Sequence, residues 1–139
     1  MGFLLQKSKE NINSAVLLIE NKHHSSSVHC SYFSCIQLML HVLRSDFNKT
    51  EEEIAQESFD GSRNLHGFHN WIQNTFFTEV GKREKDGRIV LDFSSKLGNL
   101  KGIRIRSDYG INQIGEKEAS KALEGAKSIN QIIEKRFKI

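Results

Sequence analysis

The hydrophobic pattern is densest between Val28 and Leu43, where apolar residues cover most sides of a predicted helix. Apolar side chains recur there at steps of three and four, which is the spacing of one helix face. That face consists of Tyr32, Ile36, Met39, Leu40 and Leu43. A helix that is apolar nearly all round must be covered on several sides, so we expect it to be the central helix of a bundle.

Polar residues interrupt this helix, among them His29, Ser34, Gln37 and His41. In a covered helix such side chains are either hydrogen-bonded in the core or open to a groove. The pattern leaves both alternatives open.

Other segments show the same helical spacing. We predict helices over Phe3–Glu20, from the serines after His24 to Arg44, over Glu51–Glu57, from about Leu65 through Phe77, and over Glu116–Phe137. Thr50 followed by Glu53 is a capping-box pattern that supports the short third helix. We expect a turn at residues 60–62 and, because of its charge and final Asp-Gly, an exposed loop at residues 78–87.

Residues 88–109 are ambiguous between the two regular structures. The start, from Arg88 to Phe93, has strand character, whereas the later apolar residues fit a helix despite Gly98 and Gly102. We favour one helix, because an isolated strand would have no partner. The sum is an all-α protein, a bundle of four long helices with a short fifth, built as one domain over residues 1–139.

Composition agrees with a soluble helical domain. The chain has no proline, 37% hydrophobic and 27% charged residues, and a formal net charge of +3. No apolar run approaches the roughly 20 residues that span a bilayer, so we expect no membrane association. Cys30 and Cys35 point about 140° apart on one helix and are expected to stay reduced, in a cytoplasmic protein. The mild basic excess is compatible with nucleic acid but does not predict it.

The histidines are the first candidates for chemistry. His66 and His69 are three residues apart, but no carboxylate or cysteine accompanies them at ligand spacing, so we favour surface or capping histidines. No glycine-rich phosphate loop or nucleophile elbow is present in the sequence. The sequence therefore predicts neither a metal site nor a cofactor.

The second candidate is the segment from Arg104 to Tyr109. On a helix Arg104 and Asp108 are four residues apart and meet on one face, where the simplest role is an exposed ion pair. Tyr109 adds a hydroxyl one residue later, and Arg106 adds a second cation. An arginine fork beside a proton-bearing group is what phosphodiester binding requires, so this segment is also a candidate nucleic-acid site.

Three stretches of the sequence resemble the HEPN superfamily (higher eukaryotes and prokaryotes nucleotide-binding), in particular its small stand-alone bacterial and archaeal members. Lys7–Glu20 resembles the family's opening helix, and Val28–Leu40, centred on Tyr32-Phe33-Ser34, resembles its Tyr-Tyr-Ala helix. Arg104–Tyr109, followed by Ala119–Phe137, is similar to the Arg-x-x-Ala-Asp-Tyr segment and closing helix. The resemblance covers nearly the whole chain.

The resemblance implies an antiparallel helical bundle that forms homodimers with a groove at the interface. It also implies RNA or nucleotide as ligand, a nucleotidyltransferase-like partner protein, and a role in toxin–antitoxin or antiviral systems. Active members are metal-independent ribonucleases. By this analogy Arg104, Asp108 and Tyr109 would be catalytic, and His29, Tyr32, Gln37 and Arg106 would contact RNA or nucleotide.

The chain departs from the pattern of active members at three positions. Tyr109 stands where the histidine that follows the arginine is expected, Cys30 replaces an arginine, and Gln37 replaces a second histidine. Glutamine cannot act as a general base, and tyrosine, with a pKa near 10, would need strong tuning. We therefore favour an RNA- or nucleotide-binding regulatory or toxin–antitoxin component. The alternatives are a ribonuclease that uses Arg104 and Tyr109, and a helical protein-interaction module.

Overall fold

A computed structural model describes residues 2–61, 67–137 and 139, and the regular structure in these ranges is entirely helical. The six helices are α1 (Phe3–Glu20), α2 (His24–Ser45), α3 (Glu51–Gly61), α4 (Gly67–Arg83), α5 (Gly87–Tyr109) and α6 (Glu116–Arg136). The predicted all-α class is confirmed. The described residues form six helices, one in each segment with helical spacing, whereas the predicted bundle had four long helices and a short fifth.

Helix α2 is the centre of the fold, as its sequence predicts. It packs against α1, α4, α5 and α6, and α1 and α5 each pack against α6 as well. Its fully buried side chains include Tyr32, Leu38, Met39 and Leu43, which form the core with residues of α4, α5 and α6. Because four helices surround α2, the polar groups along it must find partners on those helices or reach the surface.

Helix α5 settles the ambiguous segment in favour of a helix. Its buried residues, Phe93, Leu97, Leu100 and Ile103, recur at steps of three and four. The carboxylate of Asp86 caps the start of α5, because Oδ1 accepts a hydrogen bond from the backbone N–H of Arg88 at 3.0 Å. Gly98 lies on the exposed side of the helix, so the core stripe is continuous despite this glycine.

The predicted loop at residues 78–87 is wrong, because α4 continues to Arg83. Val80 is fully buried and lies one turn after Phe76, so the apolar stripe continues through the charged segment. On the solvent-facing side of α4, Glu79 and Arg83 form an i, i+4 ion pair at 2.7 Å. The charged residues are therefore the solvent face of a helix, and only residues 84–86 separate α4 from α5.

Helix α3 begins as predicted and ends later. The capping box is present: the backbone N–H of Glu53 donates to Thr50 Oγ1 at 3.1 Å, and Glu53 Oε1 accepts from the N–H of Thr50 at 3.3 Å. The turn predicted at residues 60–62 is wrong for its first two positions, since α3 extends to Gly61. Residue 62 lies outside the described residues.

Two further predictions concern membrane-spanning helices and the state of the cysteines. Among the described residues, no helix combines the length and apolar character needed to cross a bilayer. Cys30 and Cys35 are both free thiols, as predicted, and Cys35 is fully buried.

Candidate functional site

Polar and aromatic side chains from α2, α4 and α5 meet around one arginine, and we call this group the Arg104 cluster. Its members are His29, Tyr32 and Phe33 of α2, His69 and Gln73 of α4, and Arg104 and Asp108 of α5. Arg104 follows the buried Ile103, so it emerges at the edge of the core face of α5. The cluster therefore lies where three helices meet and not on an isolated helix surface.

The guanidinium of Arg104 is held on three sides. It lies 5.0 Å from the ring centroid of Tyr32 and 5.6 Å from that of Phe33, which are cation–π distances. Its Nε lies 3.2 Å from Asp108 Oδ2, an ion pair that lacks the angle of a hydrogen bond. The Arg104 side chain is only 17% exposed, so this pairing is stronger than that of an ordinary surface pair.

The two terminal nitrogens of Arg104 are the unused part of the group. Within the described part of the chain neither Nη atom donates a hydrogen bond to another residue. An arginine carries five N–H donors in a planar fork, and its Nη donors can form bidentate hydrogen bonds with phosphate or carboxylate. The stacking and the ion pair thus fix the guanidinium and leave these donors available to a ligand.

The Tyr32 ring packs against the guanidinium of Arg104 and is fully buried. Its hydroxyl accepts a hydrogen bond from Gln73 Nε2 at 2.9 Å and lies 2.9 Å from His69 Nδ1. Burial raises the pKa of Tyr32, against smaller lowering effects of the Gln73 bond and the Arg104 charge. The phenol therefore stays protonated near neutral pH and donates its single proton to His69.

His69 is neutral in this arrangement. Partial burial lowers its pKa, and the charges of Arg104 and Lys101 lower it further. Since Gln73 donates to the Tyr32 oxygen, we assign the single phenol proton to the contact with His69 Nδ1, which places the ring hydrogen of His69 on Nε2. His69 therefore offers an Nε2–H donor beside Arg104, and its Nδ1 lone pair is already used.

His29 occupies the opposite side of the Asp108 carboxylate. Its Nδ1 lies 3.7 Å from Asp108 Oδ1, while Oδ2 faces Arg104. The His29 ring packs on Phe33 with centroids 4.6 Å apart, and its side chain is half-exposed. A carboxylate near Nδ1 favours a proton there, and Nε2 has no hydrogen-bond partner among the described residues.

Three of the residues predicted for the site lie outside the cluster. Tyr109 is 77% exposed and, among the described residues, has no hydrogen bond or ring contact with Arg104. A five-residue step on a helix rotates it about 140° from Arg104. The expectation that it shares a recess with Arg104 is therefore corrected. Arg106 lies 3.6 Å from Glu118, and Gln37 Oε1 accepts from Asn11 Nδ2 at 2.7 Å between α1 and α2.

Three residues of the cluster were not predicted as site residues: Phe33, His69 and Gln73. His69 was interpreted as a surface or capping histidine, and Gln73 was not considered. They lie one turn apart on α4 and share Tyr32 as a partner, so a polar i, i+4 pair beside the buried Ile72 was the available signal. Their partner lies on another helix, and residue spacing alone cannot supply that contact.

The residues of the cluster do not resemble a metal site. Across the described ranges no three His, Cys, Asp or Glu side chains gather as metal ligands would. His66, which was considered as a partner of His69, lies outside the described residues. The chemistry available in the cluster is therefore hydrogen bonding, charge and proton transfer.

Comparison of the chain with protein-family models, curated proteins and solved structures gave no match.

Proposed function

We propose that this chain is a HEPN-like antiparallel helical bundle that binds RNA, or a nucleotide, at the Arg104 cluster as a regulatory or toxin–antitoxin-type component. The observation that carries the proposal is the fixed guanidinium of Arg104 with its free Nη donors. In the sequence, the HEPN resemblance also supports a homodimer and a nucleotidyltransferase-like partner, and both are part of the proposal.

The charges around the cluster favour an anionic ligand. Lys101 lies one turn before Arg104 on α5, and its Nζ donates to Asn70 Oδ1 of α4. Arg104 and Lys101 thus contribute two cations, whereas Asp108 contributes one carboxylate. A phosphate at the Nη atoms of Arg104 would gain charge-assisted hydrogen bonds, and the Nε2–H of His69 adds a neutral donor beside them.

Binding of labelled single-stranded RNA, followed by fluorescence anisotropy, tests the proposal. We expect Arg104→Ala to weaken binding by about 10-fold or more, because it removes a charge-assisted phosphate contact. Arg88→Ala is the matched control: Arg88 is on the same helix, 92% exposed, and about 24 Å from Arg104 along the helix axis.

The control distinguishes a site from general attraction of a basic protein for RNA. Equal losses in the two variants, or no binding by the wild-type chain, would reject the proposal. Competition with a nucleoside monophosphate shows whether one nucleotide is sufficient. A circular-dichroism spectrum of Arg104→Ala establishes that the helices remain folded.

One observation favours a second candidate function, that of a metal-independent ribonuclease. Asp108 lies between Arg104 and His29, so a carboxylate, a phosphate-binding fork and a free imidazole nitrogen are neighbours. The His29–Asp108 distance of 3.7 Å is long for a hydrogen bond, but catalytic contacts often tighten only when substrate binds. In this version His29, and not Tyr109, moves the proton.

The reaction would be transesterification of the RNA backbone. His29 Nε2 takes the proton of the 2′-hydroxyl, the 2′-oxygen forms a bond to phosphorus, and the bond to the 5′-oxygen breaks. The leaving oxygen takes a proton from solvent, which gives a 2′,3′-cyclic phosphate and a 5′-hydroxyl end. Arg104 would stabilise the extra negative charge on the phosphorane oxygens.

Incubation of the purified chain with RNA separates the two candidates. The ribonuclease version predicts cyclic-phosphate ends that are lost in His29→Ala and retained in Tyr109→Phe. Binding without cleavage supports the regulatory version alone, whereas cleavage that His29→Ala leaves unchanged contradicts the proton-transfer role of His29.

A further inference from the structure

A groove of about 770 Å³ lies between α3 and the facing ends of α1 and α2. Helix α3 packs mainly on α4 and makes no comparable contact with α1 or α2 in the described part of the chain. Most of the groove surface is apolar, and its apolar residues are Phe3, Leu4, Leu40, Ile54, Ala55 and Phe68. A concave apolar site of this volume is in the size range of small-molecule pockets.

One part of the groove carries positive charge. Lys7 of α1 and Arg44 of α2 both line it. Arg44 is paired with Glu51 at 3.2 Å, whereas Lys7 has no ion-pair partner among the described residues. His41, between them, has a pKa lowered mainly by burial and so is a neutral polar group near pH 7. The lining therefore has an excess cation at Lys7.

Phe3 gives a further reason to expect an apolar occupant. It lines the groove at the first position of α1, and it is 72% exposed. An exposed aromatic side chain that closes over an acyl chain would remove apolar surface from water on both sides of the contact. Such burial of apolar surface is favourable in water.

From the apolar walls and the cationic edge we infer that this groove binds a single-chain anionic amphiphile. The acyl chain lies along Leu4, Leu40 and Ile54, and the carboxylate or phosphate head group pairs with Lys7, because Arg44 is already paired with Glu51. Charge complementarity selects an anion over a neutral alkyl compound. The site is separate from the Arg104 cluster and does not depend on the function proposed there.

Trp71 is a built-in reporter of this groove. It is the only tryptophan of the chain, and its ring lies 6.0 Å from that of Phe68, which lines the groove. Titration of the full chain with decanoate, decyl phosphate and decanol, followed by tryptophan fluorescence and calorimetry, tests the proposal. We expect both anions to bind more tightly than decanol, and the tighter anion identifies the head group.

Variants locate the binding. Lys7→Met keeps the aliphatic stem and removes the charge, so we expect the Kd for decanoate to rise about 10-fold. Lys9→Met, two residues later on α1 and outside the groove lining, is the matched control and should leave the Kd unchanged. Ala55→Phe fills the groove from an exposed position of α3 and should abolish binding without loss of helical content.

The proposal is overturned by any of three results. These are an absence of binding heat with either anion, equal affinity for decanol and decanoate, and equal effects of Lys7→Met and Lys9→Met. A circular-dichroism spectrum at each end point excludes unfolding by the amphiphile as the source of the fluorescence change.

Discussion

Tyr32 and Tyr109 are the two tyrosines of the chain, and their environments are opposite. The Tyr32 hydroxyl is buried between Gln73 and His69, whereas Tyr109 is 77% exposed. Removal of the Tyr32 hydroxyl would leave two partly buried polar groups without their partner. We expect Tyr32→Phe to lower the free energy of unfolding by about 1–3 kcal/mol.

Tyr109→Phe is the matched control, and its expected effect is within about 0.5 kcal/mol because the hydroxyl remains hydrated. Urea denaturation of both variants measures the difference. If the two variants lose equal stability, the hydrogen-bond network assigned to Tyr32 does not contribute as described.

Residue spacing predicts contacts within one helix better than contacts between helices. The Arg104–Asp108 pair follows from an i, i+4 relation, and the structure contains it. The structure does not place Tyr109 in the Arg104 cluster, because a step of five residues turns a helix by about 140°. The roles of His69 and Gln73 depend on how α4 packs against α2, and no local pattern encodes that packing.

Helix α5 carries Arg104 and Asp108, and its C-terminal end depends on Gly110. A Cβ added at Gly110 would lie 2.4 Å from the backbone oxygen of Arg106, a distance that real Cβ atoms do not reach. We expect Gly110→Ala to loosen the last turn of α5, next to Asp108, and to destabilise the protein by about 1–2 kcal/mol.

Gly98→Ala is the control on the same helix. A Cβ there meets nothing within 4 Å, and the position is helical and exposed, so alanine should stabilise by about 0.5–1 kcal/mol. Thermal unfolding of the two variants should thus shift in opposite directions. A stabilising effect of Gly110→Ala would contradict the close approach at the end of α5.

At the scale of elements, the apolar pattern predicts where helices are more reliably than where they end. The bounds of α1 and the start of α6 agree with the prediction, and the capping box at Thr50 marks the start of α3. The end of α4 was misplaced because charge was interpreted as loop, although Val80 continues the buried stripe. Charged residues are equally typical of the solvent-facing side of an amphipathic helix.

At the scale of the whole molecule, a buried polar network on the central helix α2 connects it to α1 and α6. Ser34 Oγ donates to the carbonyl of Ser8 in α1, accepts from Asn130 Nδ2 in α6, and lies 3.0 Å from Ser8 Oγ. Ser31 is equally buried on α2, but its hydroxyl has no hydrogen-bond partner among the described residues. The two serines therefore form a matched pair.

We expect Ser34→Ala to destabilise the protein by about 1–3 kcal/mol, because the buried amide of Asn130 loses its acceptor. Ser31→Ala should be neutral or stabilising, since it removes an unpaired buried hydroxyl. Denaturant unfolding monitored by circular dichroism measures both. The opposite order of stabilities would contradict the assigned network.

The global fold was partly predictable because one helix is apolar nearly all round. That property of residues 28–43 requires neighbours on several sides, and the structure supplies four helices. The predicted bundle underestimated the number of helices. The meeting of three helices around Arg104 could not be derived from the sequence. Sequence periodicity gives the buried face of a helix but not the helix that covers it.

We propose that the Nη atoms of Arg104 contact a phosphate of bound RNA, and the salt dependence of binding reports directly on this contact. A plot of log K against log salt concentration for wild-type chain has a slope set by the number of phosphate contacts. We expect Arg104→Ala to reduce this slope by one phosphate contact, roughly 0.7 for single-stranded RNA, and Arg88→Ala to leave it unchanged. A slope and an affinity that are identical in wild type and Arg104→Ala would contradict the proposal.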